Sequence, residues 1–322
     1  MAWIACVSLM VAGVPFGGDS GSTQATTAPA TESVAAEPAT CLFDRMDLSS
    51  FAALFPPSDR CFPRFISPIS NPCLSKDPRA LSQIYPMFLS NWIPSSHPVE
   101  GGSFQVYGAG LTVALSETCE LGVVKGGYAD KHFGNDDDGN GFFNLGLHLK
   151  KTLVRDVENQ FLLAAGLQWE PQTGSGQVFQ DHGDGLVTVF MTAGQEFCEL
   201  SHFVGTVGFQ FPFDDTDNSS FFYTSLHLDR QLRGWIYPIL ECNWYAYTDG
   251  GDRGIAASFG EVDGLVNLGT DGAGGNNLVT IAVGVNMLVS ESREFGIVYE
   301  TPVSHREDFL DHRLYVKYTI KF

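Results

Sequence analysis

From residue 81 onward the sequence breaks into short segments in which apolar and polar side chains alternate, separated by runs of turn residues. Successive side chains of an extended chain point to opposite faces, so each segment reads as a strand with one apolar and one polar face. In "FFNLGLHLKKTLV", Phe143, Leu145, Leu147 and Leu149 fall on one side and Asn144, Gly146, His148 and Lys150 on the other. "QFLLAAGLQWE" separates Phe161, Leu163, Leu167 and Trp169 from Gln168 and Glu170, and "NLVTIAVGVNMLVS" separates Val279, Ile281, Val283, Val285 and Met287 from Thr280 and Asn286. Weaker examples are 102–115, 119–130, 185–194, 202–213, 219–231, 235–247 and 294–302, and the sequence closes on "RLYVKYTIKF".

The connections provide a second constraint. Short ones (116–118, 155–159, 195–200, 230–234, 290–294) alternate with longer ones (131–141, 171–185, 214–218, 248–276, 304–311). Membrane barrels have short turns at one end and long loops at the other, whereas a β-sandwich gives no reason for such alternation. Parity then requires an ascending strand before 102–115. "LSQIYPMFLSNWI" (81–93) is the candidate, with Pro86 suited only to an edge or seam. The fold expected is all-β: a transmembrane antiparallel up-and-down β-barrel of about twelve strands, residues 81–322.

The remaining sequence bounds what such a barrel meets. Lys and Arg number 18 against 37 Asp and Glu, a net charge of −19, which argues against a nucleic-acid partner because phosphate neutralisation needs clustered cations. After the first 16 positions no apolar run reaches the roughly 18 residues of a transmembrane helix, so a bilayer-spanning form must be a closed barrel. Residues 1–17 read as a secretory signal lacking a basic start, and 18–40 as a disordered Ser/Thr/Ala/Pro-rich spacer. The Pro-rich stretch 41–80 reads as a periplasmic lead-in or a barrel plug, the lead-in being preferred. Beyond Cys6 there are six cysteines, of which Cys61 and Cys73 are the nearest pair, either bridged or free.

"PRFISPISNPCLSKDPRALSQIYPMFLSNWIPSSHP" followed by "GGSFQVYGAGLTVALSETCELGVVKGGYAD" resembles a group of bacterial outer-membrane barrels described as transporters, and is similar to the family named for the meta-pathway of phenol degradation. The resemblance covers about 63–322. It implies an antiparallel barrel in the outer membrane of a diderm bacterium, uptake of small, often hydrophobic molecules, and no catalytic residues. The ending resembles the barrel C-terminal signature, with Phe322 terminal and Tyr318 four residues before it, and so implies recognition by the outer-membrane assembly machinery.

Alternation places a sparse polar set inside: His148, Lys150, Gln168, Glu170, His227, Asp229, Glu241, Asn243, Asn286, Glu300, Lys317 and Lys321. Such charges line a path for solute or brace the wall, and the sequence does not separate the two. In "DDDGNG", Asp136, Asp138, Asn140 and Gly141 match the start of a calcium loop, but its twelfth position is Leu147, where a bidentate Glu is required. The alternative is an acidic hairpin loop. The expectation is a passive channel for small molecules through the lumen. Its alternatives are a filled, non-conducting structural barrel and an outer-membrane hydrolase, the last weakened because no G-x-S-x-G occurs and Ser201 and His202 are sequence neighbours.

Overall fold

The computed structural model describes residues 58–322 apart from 136 and 307, so the signal segment, the spacer and 41–57 lie outside the described residues. Strand segments are β1 Gln83–Ile93, β2 Gly102–Ser116, β3 Cys119–Lys125, β4 Gly127–Phe133, β5 Gly139–Phe142, β6 Gly146–Asp156, β7 Phe161–Glu170, β8 Leu186–Phe197, β9 Ser201–Pro212, β10 Ser220–Arg230, β11 Ile236–Asp249, β12 Asn277–Ser290, β13 Arg293–Pro302 and β14 His312–Lys321. All pairings are antiparallel, and β1 pairs with both β2 and β14, which closes the sheet. The sequence of β3 and β4 pairs with one strand, β2, and is interrupted only at Gly126; β5 and β6 likewise form one interrupted strand. The wall is therefore a closed twelve-stranded barrel.

Closure runs from Gln83↔Lys321 to Trp92↔His312. Tyr85 and Pro86 have no ladder partners in β14, although Pro86 stays in register with Ala109 of β2, so the proline sits at the seam where a missing N–H is tolerated.

Along the strands burial alternates in the sense opposite to that of a soluble sheet. In β6, His148, Lys150 and Thr152 are buried while Leu147, Leu149 and Leu153 are exposed, and β7 and β8 expose Leu167, Trp169, Val189 and Met191. Apolar outward faces around polar inward ones are what a hydrocarbon surround demands. Phe143 departs from expectation: it is buried, with its ring 5.9 Å from Phe104. The reason is the interruption at 143–145. Gly126 and Gly127 take φ of +155° and +144°, Phe143 N–H donates to Gly127 O (2.9 Å), and Asn144 Oδ1 accepts the Thr173 and Gly174 N–H groups, so the chain turns inward before β6 resumes.

Of the two placements open for the Pro-rich segment, residues 58–80 take the lumen. Both feet stand at the short-turn end, where Ser58 N–H donates to Phe322 O (3.0 Å) and Phe322 N–H to Ser82 O (3.0 Å). Phe62, Phe65, Ile66, Ile69 and Leu74 of this plug are fully buried. From the other end, the 250–276 connection brings Val262, Leu265, Val266 and Leu268 into the same apolar cluster as Ile66, Ile69 and Leu74. Contact is close at Gly264 (φ +79°), where a Cβ would stand 2.5 Å from Leu74 Cδ1. Cys61 and Cys73 are not bridged.

Candidate functional site

The candidate site is the plug–wall interface, and it is built by side chains that alternation turns inward. At its centre Glu241 of β11 accepts the N–H groups of Ile69 (2.8 Å, Oε1) and Ser70 (2.6 Å, Oε2), so one carboxylate holds two consecutive plug amides. His227 of β10 fixes that carboxylate through Nδ1 (2.6 Å) and faces Asp229 Oδ2 through Nε2 (3.1 Å); Asp229 also meets His202 Nδ1 (2.6 Å). The chain of imidazoles and carboxylates runs along neighbouring strands with every member nearly sealed from water. A little further up, Asn243 donates to Ser70 Oγ (3.0 Å) and Glu300 Oε1 (2.9 Å), and Asn71 donates to Ser225 Oγ (2.7 Å).

The descending arm is gripped differently. Lys76 Nζ, from the plug, donates to Gln168 Oε1 (2.8 Å) and its backbone N–H to Thr206 Oγ1 (3.0 Å), while Thr192 Oγ1 donates to Lys76 O (2.7 Å). Lys150 Nζ donates to Asp77 O (2.5 Å) and pairs with Glu120 (2.9 Å), which also accepts Leu81 N–H (2.7 Å). Asp77 is held by the fork of Arg79 (3.0 and 2.6 Å) and by Ser67 Oγ (2.8 Å). That guanidinium keeps the Asp77 carboxyl well below the usual carboxylate range despite burial, which acts the other way. At the turn end, Arg155 meets Asp59 (2.9 Å) and Arg64 meets Glu196 (2.7 Å), ion pairs that join plug to wall.

Of the expected inward set, His148, Lys150, Gln168, Glu170, His227, Asp229, Glu241, Asn243, Asn286, Glu300 and Lys317 are buried, and Lys321 is partly exposed at the turn end beside Glu294. They do not form one continuous group. Lys150, Gln168, Glu241, Asn243 and Lys317 touch the plug directly. Glu170 pairs with Lys125 (2.6 Å), and Asn286 with Glu294 (3.1 Å), within the wall. Glu300 belongs to a third cluster: the fully buried Arg313 donates to Asn91 Oδ1 (2.8 Å), Tyr315 OH to Glu300 Oε2 (2.7 Å), and Arg313 Nη1 lies 2.7 Å from Asp263 Oδ2 of the 250–276 loop. Sequence reasoning left Arg313, Glu120 and His202 out of the inward set, His202 having been weighed only beside Ser201. The first shares the phase of Lys317 and Lys321 in β14, and the second stands opposite in phase to Leu121 and Val123, so the alternation carried the signal.

The acidic hairpin is shorter than expected, because β4 extends to Phe133 and β5 begins at Gly139. Asp138 Oδ1 accepts Phe133 N–H (3.1 Å) and Asn140 Oδ1 accepts Tyr128 OH (2.7 Å), and Asp136 lies outside the described residues. Tyr318 shares the outward phase of Leu314 and Val316.

The sequence matches no family model and no curated protein. Among solved structures it is similar to an outer membrane channel from Pseudomonas putida F1, at 11% identity and a TM-score of 0.56, covering 80% of this chain and 100% of that one. It is also similar to the KdgM porin (8% identity, TM-score 0.44, 74% and 99% covered) and to the translocator domain of the autotransporter NalP from Neisseria meningitidis (8%, 0.45, 77% and 90%). The first likeness carries the fold: this chain is a β-barrel of the outer-membrane type.

Proposed function

We propose that the chain spans the outer membrane of a diderm bacterium as a channel for small molecules, in which residues 58–80 form the closed gate. The observation that supports this best is that the plug contributes no strand to the sheet, while β1 and β14 close the wall without it. Apart from the backbone bond of Ser58 to Phe322 at its foot, its polar attachments to the wall are ion pairs and bonds made by side chains, and its apolar side chains only pack, so it can leave with the barrel's ladder intact. The long-loop end then faces outward and the short turns face the periplasm. Kinship with the phenol meta-pathway family, and small hydrophobic solutes with it, belongs to this proposal. A hydrolytic role is less well supported, since the ring nitrogens of His202 face Asp229 and Glu196 and not Ser201.

Planar-bilayer conductance tests the reading. Wild-type protein is expected to rest at low conductance with rare openings, and Glu241→Ala, which releases two plug amides, to open at least several-fold more often. Variants that fold but stay silent would overturn it. That result favours the second reading, a structural barrel with a permanently filled interior, to which the full burial of Phe65, Ile66, Ile69 and Leu74 in the lumen also points.

A further inference from the structure

Between the plug and strands β1, β2, β3, β6 and β14 lies a cavity of about 40 Å³, against the ~10–15 Å³ that one water requires. Its wall is polar and unevenly charged: three ammonium groups, Lys76, Lys150 and Lys317, meet two carboxylates, Asp77 and Glu120. Both carboxylates are spent. Asp77 takes the Arg79 fork and the Ser67 hydroxyl, and Glu120 takes Lys150, His148 and Leu81 N–H.

Two of the ammonium groups are not. Lys76 Nζ donates to Cys73 O (2.6 Å) and Gln168 Oε1 (2.8 Å), with the Phe190 ring centroid at 5.7 Å. Lys317 Nζ donates to Pro68 O (3.1 Å) and lies 4.8 Å from the Tyr85 ring centroid. Neither forms an ion pair with a described residue. An ammonium carries three donors, so one on Lys76 and two on Lys317 are left over on side chains that are themselves buried. A buried charge without a counter-charge is costly, and burial accordingly pulls the Lys76 amine down to about 7, a shift that a neighbouring anion reverses and a water, which brings no compensating charge, does not.

We propose that this cavity binds a small monovalent anion of the chloride, nitrate or formate class between Lys76 of the plug and Lys317 of β14. Gln83 Oε1, a buried acceptor with no partner that lines the same cavity, calls for a donor, and a water beside the anion supplies it. Because one ligand belongs to the plug and the other to the wall, the anion acts as a removable rivet. The site stands whether or not the lumen ever conducts.

Crystals of the wild-type protein soaked in sodium bromide test this directly. Anomalous bromide density is expected in the cavity within hydrogen-bond reach of Lys76 Nζ or Lys317 Nζ, and a cavity holding water alone overturns the proposal. In solution, the heat-denaturation midpoint of the detergent-solubilised full chain should be several degrees higher in chloride or nitrate than in gluconate at equal ionic strength. Lys76→Met and Lys317→Met should abolish that difference, and Lys317→Arg, which keeps charge and donors, should retain it. An anion effect undiminished in both Met variants also overturns the assignment.

Discussion

Arg313 shows how a single side chain can join parts of the chain that the sequence holds far apart. Its guanidinium reaches Asn91 of β1, Glu300 of β13 and Asp263 of the 250–276 loop, and it is wholly buried. Removing one partner of a buried ionic cluster leaves the others uncompensated, typically at ~3–5 kcal/mol. Arg313→Ala should therefore lower stability by about that amount, read from the denaturant midpoint in detergent, whereas loss of an exposed pair would cost under ~1 kcal/mol. The residue was legible in principle, since the phase that places Lys317 inward also places Arg313 inward. What the sequence does not carry is partner choice. Glu241 reads as one more inward carboxylate until its two oxygens are found on the amides of Ile69 and Ser70, residues 172 and 171 positions away.

Strands were readable because lipid and lumen impose opposite chemistries on alternate residues, and a period of two survives in any composition. The elements that were not readable lack a period. The break at 143–145 depends on Asn144 capping the 171–180 loop, a long-range contact, although the pair Gly126–Gly127 gave a local hint. The 250–276 loop gave none. In that loop burial pushes Asp263 up to about 6 against the pull of Arg313, and in the neighbouring 303–311 loop burial pushes Asp308 up to about 6 against that of Arg306. A carboxyl with a folded pKa above its unfolded value of ~3.9 contributes stability fully below that value and loses it as pH rises through about 6. Amide exchange in 250–276, corrected for intrinsic rates, should thus show weaker protection at pH 7.5 than at pH 5; equal or stronger protection at pH 7.5 would refute the link. Next to β14, Phe322→Asp is expected to cut the amount of folded barrel several-fold, measured by heat-modifiable mobility, because it sets a carboxylate beside the backbone bonds that tie Phe322 to Ser58 and Ser82.

For the whole molecule, parity and loop alternation were enough to count twelve strands and to place closure between β1 and β14. They were not enough to fill the barrel. The Pro-rich segment forms no strand and so has no period of two, and much of its hold on the wall comes from carboxylates, hydroxyls and ammonium groups acting on its backbone, whose groups leave no trace in a sequence. Ser58 hydrogen-bonds across 264 positions to Phe322. The berth for the plug is complete only when β14 has arrived beside β1, so the part of the described sequence nearest its start waits on the part nearest its end for its final contacts.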